Sequence, residues 1–346
     1  MRNKLNALGC SFIALWFSFT CCAGETKPQD HQESQQWVTY QGDEGPGKGK
    51  HIVLISGDEE YRSEEGLPFL GQILAERLGF TCTVLFSLDP ETGEINPNQQ
   101  NNIPGLQHLE DADLMIILAR FRELPPEQMR YIDDYLMAGK PVIGLRTATH
   151  AFHYENKEDQ YAKYDFQSKV PGWENGFGKL VLGETWINHH GKHGSEGTRA
   201  AIDENNASHP ILQGVADIWG STDVYTVGAL DDATILLWGQ TTLGMTPEAP
   251  ISTEKEALPI AWTRTYQLPE GKEGKAFATT MGAATDLQNA DLRRLIVNAC
   301  LWATGLEAAI AQQPDVSPVS PYHPTPFGFD GYVRGQYPAD FRLNVD

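Results

Sequence analysis

Two side chains that could do electrostatic or acid–base chemistry follow a short apolar run that ends at Leu145. Arg146 and His150 enclose three small residues, the first of which is Thr147. A strand that runs into such a turn is where α/β enzymes expose a nucleophile, yet this turn contains neither cysteine nor serine. A guanidinium and an imidazole can instead stabilise an anion or a carbonyl. We therefore predict Arg146 and His150 as catalytic and Thr147 as substrate-binding, against the alternative of a histidine that only bonds the backbone.

A second polar segment, Gly57-Asp-Glu-Glu-Tyr-Arg-Ser-Glu64, follows an earlier apolar run. It has no glycine-rich phosphate loop, which argues against a nucleotide cofactor. One of its carboxylates could act as a general base or bind sugar hydroxyls. Glu60 is predicted as a catalytic base, and substrate-binding roles are predicted for Glu59, Tyr61 and Arg62. The alternative is a solvated loop whose serine caps the following helix.

Three imidazoles lie close together in the segment Trp186-Ile-Asn-His-His-Gly-Lys-His193. Histidine clusters can bind zinc, but this spacing is not a specific metal signature. His190 is predicted as a second candidate base and His189 as substrate-binding, with no metal and no other cofactor. A metal site that uses His189, His190 or His193 remains an alternative. Trp173 is predicted to offer an aromatic platform to a sugar ring, although a tryptophan more often simply packs.

Apolar runs of strand length alternate with helical patterns and must position these segments. The predicted strands cover residues 51–56, 81–88, 113–118, 141–145, 234–238, 260–263 and 276–281. Helical spacing predicts helices over residues 67–78, 125–137 and 291–304. Continuous apolar strands between helices are typical of an α/β, doubly wound parallel sheet with right-handed crossovers. Ligands bind such sheets beyond the carboxyl ends of the strands, where Arg120 and Arg122 are also predicted to bind substrate.

The two ends of the chain have compositions unlike the middle. Residues 1–24 carry a basic start, an apolar stretch and then small residues, which is the order of a secretory signal peptide. We expect an exported protein, periplasmic or extracellular. A lipid anchor on Cys21 or Cys22 is the weaker alternative. A flexible leader is predicted over 25–50, and a tail rich in Pro, Tyr and Gly over 309–346, which either wraps the domain or stays partly disordered.

The net charge restricts the expected partners, and the cysteine content indicates the state of the thiols. The 346 residues include 46 acids and 26 bases, which gives a formal net charge of −20. Such a surface repels phosphate backbones and anionic lipid, so we expect neither nucleic acid nor stable membrane insertion. Cys82 and Cys300, the cysteines beyond the signal segment, are predicted to be buried free thiols. A disulfide between them is the alternative.

Several motifs occur together in this chain. They are the opening strand with Gly57-Asp-Glu-Glu-Tyr-Arg-Ser, the segment Gly139-Lys-Pro-Val-Ile-Gly-Leu-Arg-Thr-Ala-Thr-His-Ala-Phe152, His189-His-Gly191, and Ala278-Thr-Thr-Met-Gly282 followed by Arg293-Arg-Leu-Ile-Val-Asn-Ala-Cys-Leu-Trp-Ala303. Together they resemble the ThuA-like (trehalose utilisation) family, which is related in fold to class I glutamine amidotransferases. The resemblance covers residues 51 to about 306. It implies a flavodoxin-like fold and a link to sugar metabolism, in particular to glycosides oxidised to keto sugars.

Two positions depart from what the resemblance implies. Arg146 stands where an amidotransferase would place its nucleophilic cysteine, so glutaminase chemistry is not expected. Ala283 stands where many family members carry a histidine, which puts a role for that histidine in doubt here.

These features lead to one functional hypothesis and two alternatives. We predict an exported protein whose domain spans residues 51–308 and which acts on a small-molecule carbohydrate, a (keto-)glycoside, by acid–base chemistry without a cysteine nucleophile. Glu60 or His190 would be the base, and Arg146 with His150 the electrostatic partner. The alternatives are a non-catalytic sugar-binding module and a metal-dependent hydrolase that uses the histidine cluster. The sequence leaves the oligomeric state open.

Overall fold

A mixed ten-stranded sheet forms the centre of the molecule in the computed structural model, which describes residues 36–343. The predicted signal peptide, residues 1–24, lies outside the described residues. The strands are β1 Trp37–Tyr40, β2 His51–Gly57, β3 Thr81–Phe86, β4 Leu114–Ala119, β5 Val142–Leu145, β6 Gly197–Ile202, β7 Trp219–Gly220, β8 Ala233–Thr242, β9 Leu258–Gln267 and β10 Glu273–Thr279. The α-helices are α1 Ser63–Leu78, α2 Pro126–Met137, α3 Ala290–Ala303 and α4 Glu307–Ile310. The strand order is β1-β3-β2-β4-β5-β10-β9-β8-β6-β7.

Neighbouring strands β3, β2, β4, β5 and β10 run parallel. Alternate residues of β2 belong to two different apolar cores, Ile52 and Leu54 on one face and Val53 and Ile55 on the other. Helices α1 and α3 contribute to the first core and α2 to the second. A strand that is buried on both faces must be apolar at consecutive positions, which is the pattern of the sequence. The predicted α/β class with parallel core strands is therefore confirmed.

Strands β9, β8, β6 and β7 extend the sheet beyond β10, and each pairs antiparallel with its neighbour. The sequence pattern predicts only the centres of β8 and β9, at 234–238 and 260–263. Both strands are longer than the apolar pattern predicts. Polar residues such as Thr265 and Gln240 interrupt that pattern but still pair with the neighbouring strands. An antiparallel sheet tolerates such residues because one face can meet solvent.

Part of the segment before β2, Trp37–Tyr40, belongs to the fold, whereas residues 25–35 lie outside the described residues. Residues 25–50 are predicted to be a flexible leader, but Trp37–Tyr40 form the edge strand β1, antiparallel to β3. The prediction is wrong for these residues because Val38 and Tyr40 bury their side chains in the core. A strand of four residues with one buried face gives too short a pattern to stand out from a polar segment.

The tail after residue 309 packs along the domain as an extended arm, which is one of the two predicted alternatives. The Tyr322 ring stacks on Phe69 of α1, with ring centroids 3.6 Å apart. Phe341 packs against Phe86, and its carbonyl oxygen accepts a hydrogen bond of 2.7 Å from the Tyr40 hydroxyl. The tail is therefore held at several points along its length.

Two smaller expectations concern the thiols and the membrane. Cys82 and Cys300 are buried free thiols, as predicted. Within residues 36–343, no helix combines the length and the apolar character needed to cross a membrane.

Candidate functional site

The carboxyl ends of β2, β5 and β10 bring the polar segments to one rim of the sheet. The acidic segment follows β2, and the 3₁₀ turn Arg146–His150 follows β5. The amide of Arg146 donates a hydrogen bond of 3.0 Å to the carbonyl of Met281, just beyond β10. The histidine segment reaches this rim from the antiparallel half of the sheet, where His189 bridges to Tyr225. The rim predicted from the parallel topology therefore gathers side chains from both halves of the sheet.

Arg146 lies beneath this rim and is fully buried. Its backbone is left-handed, with φ of 43°. The guanidinium lies between two rings, 4.6 Å from the centroid of Tyr61 and 3.8 Å from that of Tyr225. It donates to the carbonyls of Asp223 and Thr280 at 2.6 and 2.7 Å, and to the Tyr61 hydroxyl at 3.1 Å. A fourth hydrogen bond of 2.9 Å reaches the Asp223 carboxylate, so Arg146 supports other groups rather than facing solvent.

Asp223 connects the arginine to the histidines. His189 Nδ1 lies 2.8 Å from Oδ2 of the aspartate, and His193 Nδ1 lies 3.2 Å from Oδ1. Although burial raises it, the charges of Arg146 and His189 bring the pKa of Asp223 down to about 2. Gly191 permits this close approach, because a Cβ there would lie 2.7 Å from the Cβ of Asp223. The carboxylate is therefore ionised at neutral pH and orients both imidazoles.

Glu60 faces His193 from the other side. Its Oε1 lies 3.0 Å from His193 Nε2, so this imidazole bridges Glu60 and Asp223. Burial, with a smaller effect from Asp58, raises the pKa of Glu60 above its usual value, and His193 opposes the shift. Asp58 shapes the turn, because it accepts hydrogen bonds from the Glu60 amide and the Thr147 hydroxyl. A carboxyl with a raised pKa beside an imidazole suits proton transfer near neutral pH.

Glu59 pairs with Arg120 and with Arg122. In the second pair the Arg122 side chain is fully enclosed. Its guanidinium donates further hydrogen bonds to the Ser87 hydroxyl and to the carbonyls of Pro97, Gln99 and Arg120. Glu59 and Arg122 are both predicted to bind substrate, but their polar groups connect the loops of the rim to one another by hydrogen bonds. Arg120 is the more exposed of the two arginines.

The polar cluster of the site consists of Arg146, Asp223, His189, His193 and Glu60. His150 lies beside this cluster, among the rings of Phe121, Trp186 and Tyr225. Burial holds the pKa of His150 well below its usual value, and the charges of Arg120 and Arg146 add to this effect. The imidazole is therefore neutral at neutral pH and cannot supply positive charge to a developing anion. Its contribution as a predicted catalytic group is limited to a neutral hydrogen bond.

Four other predicted residues take no part in the side-chain contacts between Asp223, His193 and Glu60. His190 Nε2 lies 3.0 Å from the carbonyl oxygen of Glu256, because successive side chains of an extended segment point to opposite sides and His189 takes the side of the rim. Trp173 belongs to the apolar core on the α2 face, so it packs rather than offering a platform. Arg62 is buried and donates to the C-terminal tail. The Thr147 hydroxyl donates to the Asp58 carboxylate, so this side chain, like that of Arg62, already has a hydrogen-bond partner within the chain.

One group of side chains could hold a metal ion. His189, His193 and Asp223 each offer a ligand atom, and these atoms lie within 4.8 Å of one another. Two imidazoles and one carboxylate are a donor set used for divalent transition metals with open coordination positions. His190, which the metal alternative includes, does not belong to this group. The donor chemistry therefore fits a divalent cation at the rim.

Asp223 and Tyr225 are site residues that the sequence patterns do not single out. They follow the two-residue strand β7 in the segment Ser221-Thr-Asp-Val-Tyr225, which has no motif of its own. The pairing of β7 with β6 and the hydrogen bonds from Thr222 to Asp286 hold this segment at the rim. For His193, the one local signal is its spacing of four residues from His189.

The comparisons with known proteins give one family model and several solved structures. The family described as ThuA, trehalose utilisation, has a model that matches residues 91–303. A solved structure described as a ThuA-like protein from Bacteroides uniformis is 13% identical, with 76% of this chain and 95% of that chain covered and a TM-score of 0.46. Another, from Parabacteroides merdae, is 14% identical, with 75% and 91% covered and a TM-score of 0.47. The comparison with curated protein sequences gives no match.

Proposed function

The chain belongs to the ThuA family, described as trehalose utilisation, and from this premise we propose that it acts on a keto-glycoside by acid–base chemistry at Glu60 and His193. The family supports a link to sugar metabolism. Export directed by the predicted signal peptide belongs to the same proposal. So does the flavodoxin-like, class I glutamine amidotransferase-like assignment, which the order of the five parallel strands supports.

One observation carries the proposed chemistry, the chain of contacts from Asp223 through His193 to Glu60. Both ring nitrogens of His193 lie within hydrogen-bonding distance of carboxylate oxygens, at 3.2 and 3.0 Å. Ionised carboxylates only accept hydrogen bonds, so a proton on either ring nitrogen of His193 can be donated to the carboxylate that it faces. The His193 side chain is 36% exposed, whereas the two carboxylates are nearly enclosed. The proposal takes support from this arrangement, in which a carboxylate and a partly exposed imidazole lie side by side.

The reaction that suits such a pair is elimination beside a carbonyl. Glu60 takes the proton from the carbon between the carbonyl and the glycosidic carbon. The electron pair of that C–H bond forms a carbon–carbon double bond as the glycosidic C–O bond breaks. His193 donates a proton to the leaving oxygen, so that an alcohol departs and Glu60 ends protonated. Proton transfer from Glu60 to His193 then restores both groups.

Asp223 and Arg146 act as positioning residues in this proposal. Asp223 holds the Nδ1 side of His193 and leaves Nε2 facing Glu60. Arg146 holds Asp223 through both its backbone carbonyl and its carboxylate. A fixed imidazole lowers the cost of aligning the proton with the leaving oxygen.

The test compares two neighbouring histidines with opposite placement. Purified protein is assayed against 3-keto-glycosides and the matching unoxidised glycosides, with products followed by NMR. His193→Asn and Glu60→Gln are expected to lower kcat by about 10²–10⁴-fold, the usual contribution of a positioned proton donor or acceptor. His190→Asn is the matched control and is expected to keep wild-type kcat, because His190 contacts Glu256 instead.

Each outcome of this assay has a clear meaning. Equal loss in His190→Asn and His193→Asn would contradict the assignment of His193. Saturable binding of the sugar by the wild type without any product would favour the alternative of a non-catalytic sugar-binding module. Turnover of unoxidised glycosides at the same rate would remove the need for a carbonyl and with it the elimination step.

A metal-dependent hydrolase is the second candidate, favoured by the convergence of His189, His193 and Asp223. A bound divalent cation would supply Lewis-acid chemistry at the rim. Elemental analysis of purified protein after loading with zinc or manganese tests this directly. A stoichiometric ion that is retained by His190→Asn and lost in His189→Asn supports the candidate, and the absence of any stoichiometric ion removes it.

A further inference from the structure

The C-terminal tail crosses the rim next to Glu60 and is fixed there by hydrogen bonds. The amide of Gly328 donates to the carbonyl of Glu60 at 2.8 Å. The carbonyl of Gly328 accepts from Arg62 Nη2 at 2.6 Å. Three residues earlier, the Thr325 amide and hydroxyl donate to the two carboxylate oxygens of Glu65 at 2.7 and 2.6 Å. The tail is thus attached to the same turn that carries the proposed base.

Further contacts fix the tail beyond this crossing. Asp330 accepts a hydrogen bond of 3.0 Å from the Asn98 side chain. The Tyr332 hydroxyl lies 3.2 Å from Asn96 Oδ1. The carbonyl of Gln336 accepts from the amide of Ile95 at 2.8 Å. The residues between these two sets of contacts therefore have little freedom to move.

Two phenylalanines lie within this fixed stretch, one on each side of Gly328. The Phe327 ring lies 5.4 Å from the Tyr61 ring and 5.8 Å from the His193 ring, measured between centroids. The Phe329 ring is 56% exposed and lies 5.1 Å from the Arg120 guanidinium. Both rings are therefore next to the polar cluster, and the second one faces solvent.

A third ring lies on the opposite side of the histidine pair. Trp186 is 5.9 Å from His189 between ring centroids, and His189 is 4.7 Å from His193. The two histidines therefore lie between Trp186 and Phe327. A ligand seated on the histidines would have an aromatic ring at each end.

We propose that Phe327 and Phe329 of the tail form the platform on which the sugar ring of the substrate lies, an inference that rests on the proposed function. A large apolar side chain gains little by facing water from a segment with fixed ends, whereas it can bind the apolar C–H face of a pyranose. Arg120 beside Phe329 adds donors that a sugar hydroxyl or keto oxygen can accept from. This platform replaces the one that the sequence places at Trp173.

The position of the platform has a consequence for selectivity. Residues 327 and 329 lie outside residues 91–303, the part of the chain that the family model matches. Of the two proton-transfer residues, His193 lies inside that part and Glu60 lies outside it. The tail can set which glycoside is bound, because it contributes no group to the proton transfer between Glu60 and His193.

Binding of a 3-keto-glucoside, measured by calorimetry together with KM and kcat, tests the platform. Phe329→Ala is expected to raise Kd and KM by about five- to tenfold with kcat unchanged, the usual loss for an aromatic contact. Phe327→Leu keeps the apolar volume against Tyr61 but loses the ring, and it is expected to act in the same direction. Val333→Ala is the control, because Val333 is 43% exposed on the same tail away from the cluster.

The outcomes separate this inference from the proposed function. If the wild type binds and converts the sugar while both phenylalanine variants keep wild-type Kd and KM, the platform is refuted and the proposed function stands. If the wild type neither binds nor converts any glycoside, both fall. A fall in kcat alone in Phe329→Ala would also refute the platform, because it would place the ring in the chemistry rather than in binding.

Discussion

Glu64 in the first turn of α1 is expected to make the protein less stable as the pH rises. Its carboxyl is buried, and neither oxygen has a hydrogen-bond partner among the described residues. Burial raises the pKa of Glu64 from 4.5 to about 8. The folded protein therefore keeps the proton at neutral pH, whereas the unfolded chain releases it. The stability that this group contributes is complete below its ordinary pKa and is lost as the pH rises through about 8.

The size of this effect follows from the two pKa values. Between pH 5 and pH 9 the wild type should lose roughly 4 kcal/mol of unfolding free energy through this group, because a tenfold change in proton affinity corresponds to about 1.4 kcal/mol. Glu64→Gln removes the ionisation. An amide buried without partners costs about 1–3 kcal/mol of unfolding free energy. The test therefore compares how the unfolding free energy of each protein changes with pH, and not the difference between the two proteins at one pH.

The assay is urea denaturation followed by tryptophan fluorescence at several pH values in this range. The wild type is expected to lose stability steeply above pH 6, and Glu64→Gln is expected to show a much shallower dependence. Glu76→Gln, at an exposed position of the same helix, controls for the altered helix charge. Parallel pH profiles for the wild type and Glu64→Gln would refute the reasoning, because they would mean that Glu64 ionises where it lies.

Two further predictions concern the supports of the site. Asp223→Asn is expected to lower the unfolding free energy by about 3–5 kcal/mol, because it leaves the buried Arg146 guanidinium without its carboxylate. In urea denaturation, the difference in unfolding free energy between the wild type and Asp223→Asn should shrink as the pH falls from about 4 towards about 2, because the lowered pKa of Asp223 lies there. Asp217→Asn, which removes the carboxylate of an exposed ion pair, is the control. Arg62→Met is expected to speed hydrogen exchange of the Gly328 amide, since the Gly328 carbonyl loses the hydrogen bond from Arg62, whereas the exposed Arg130→Met leaves that exchange unchanged. Equal exchange in both variants would show that Arg62 does not fix the tail.

The parallel core was predictable because burial on both faces leaves a strong mark on the sequence. β4 is apolar at every position from Leu114 to Ala119, and its neighbours in the sheet are almost as uniform. The position of the rim follows from this topology without any knowledge of side chains. The topology therefore predicts that the turn Arg146–His150 and the acidic segment before α1 lie at this rim.

The identities of the groups that meet at the rim depend on contacts that no local pattern encodes. His189 and His190 are equivalent in the sequence, and only the direction of the extended segment decides which one faces Asp223. Asp223 follows a strand of only two residues, which is too short for a sequence period to appear. Phe327 lies more than a hundred residues beyond His193 in a tail without regular structure, so their contact arises from the folded chain alone.

The buried pair of Arg146 and Asp223 is best understood as a device for placing side chains. A left-handed backbone at a residue other than glycine costs about 1–3 kcal/mol, and burying a guanidinium adds a desolvation penalty. The ion pair roughly offsets these terms and seldom yields a net gain in stability. What the pair does provide is a carboxylate that cannot rotate, with an imidazole fixed on each of its oxygens. In the proposed function, the turn that begins at Arg146 therefore supports the reactive groups, and proton transfer takes place at Glu60 and His193.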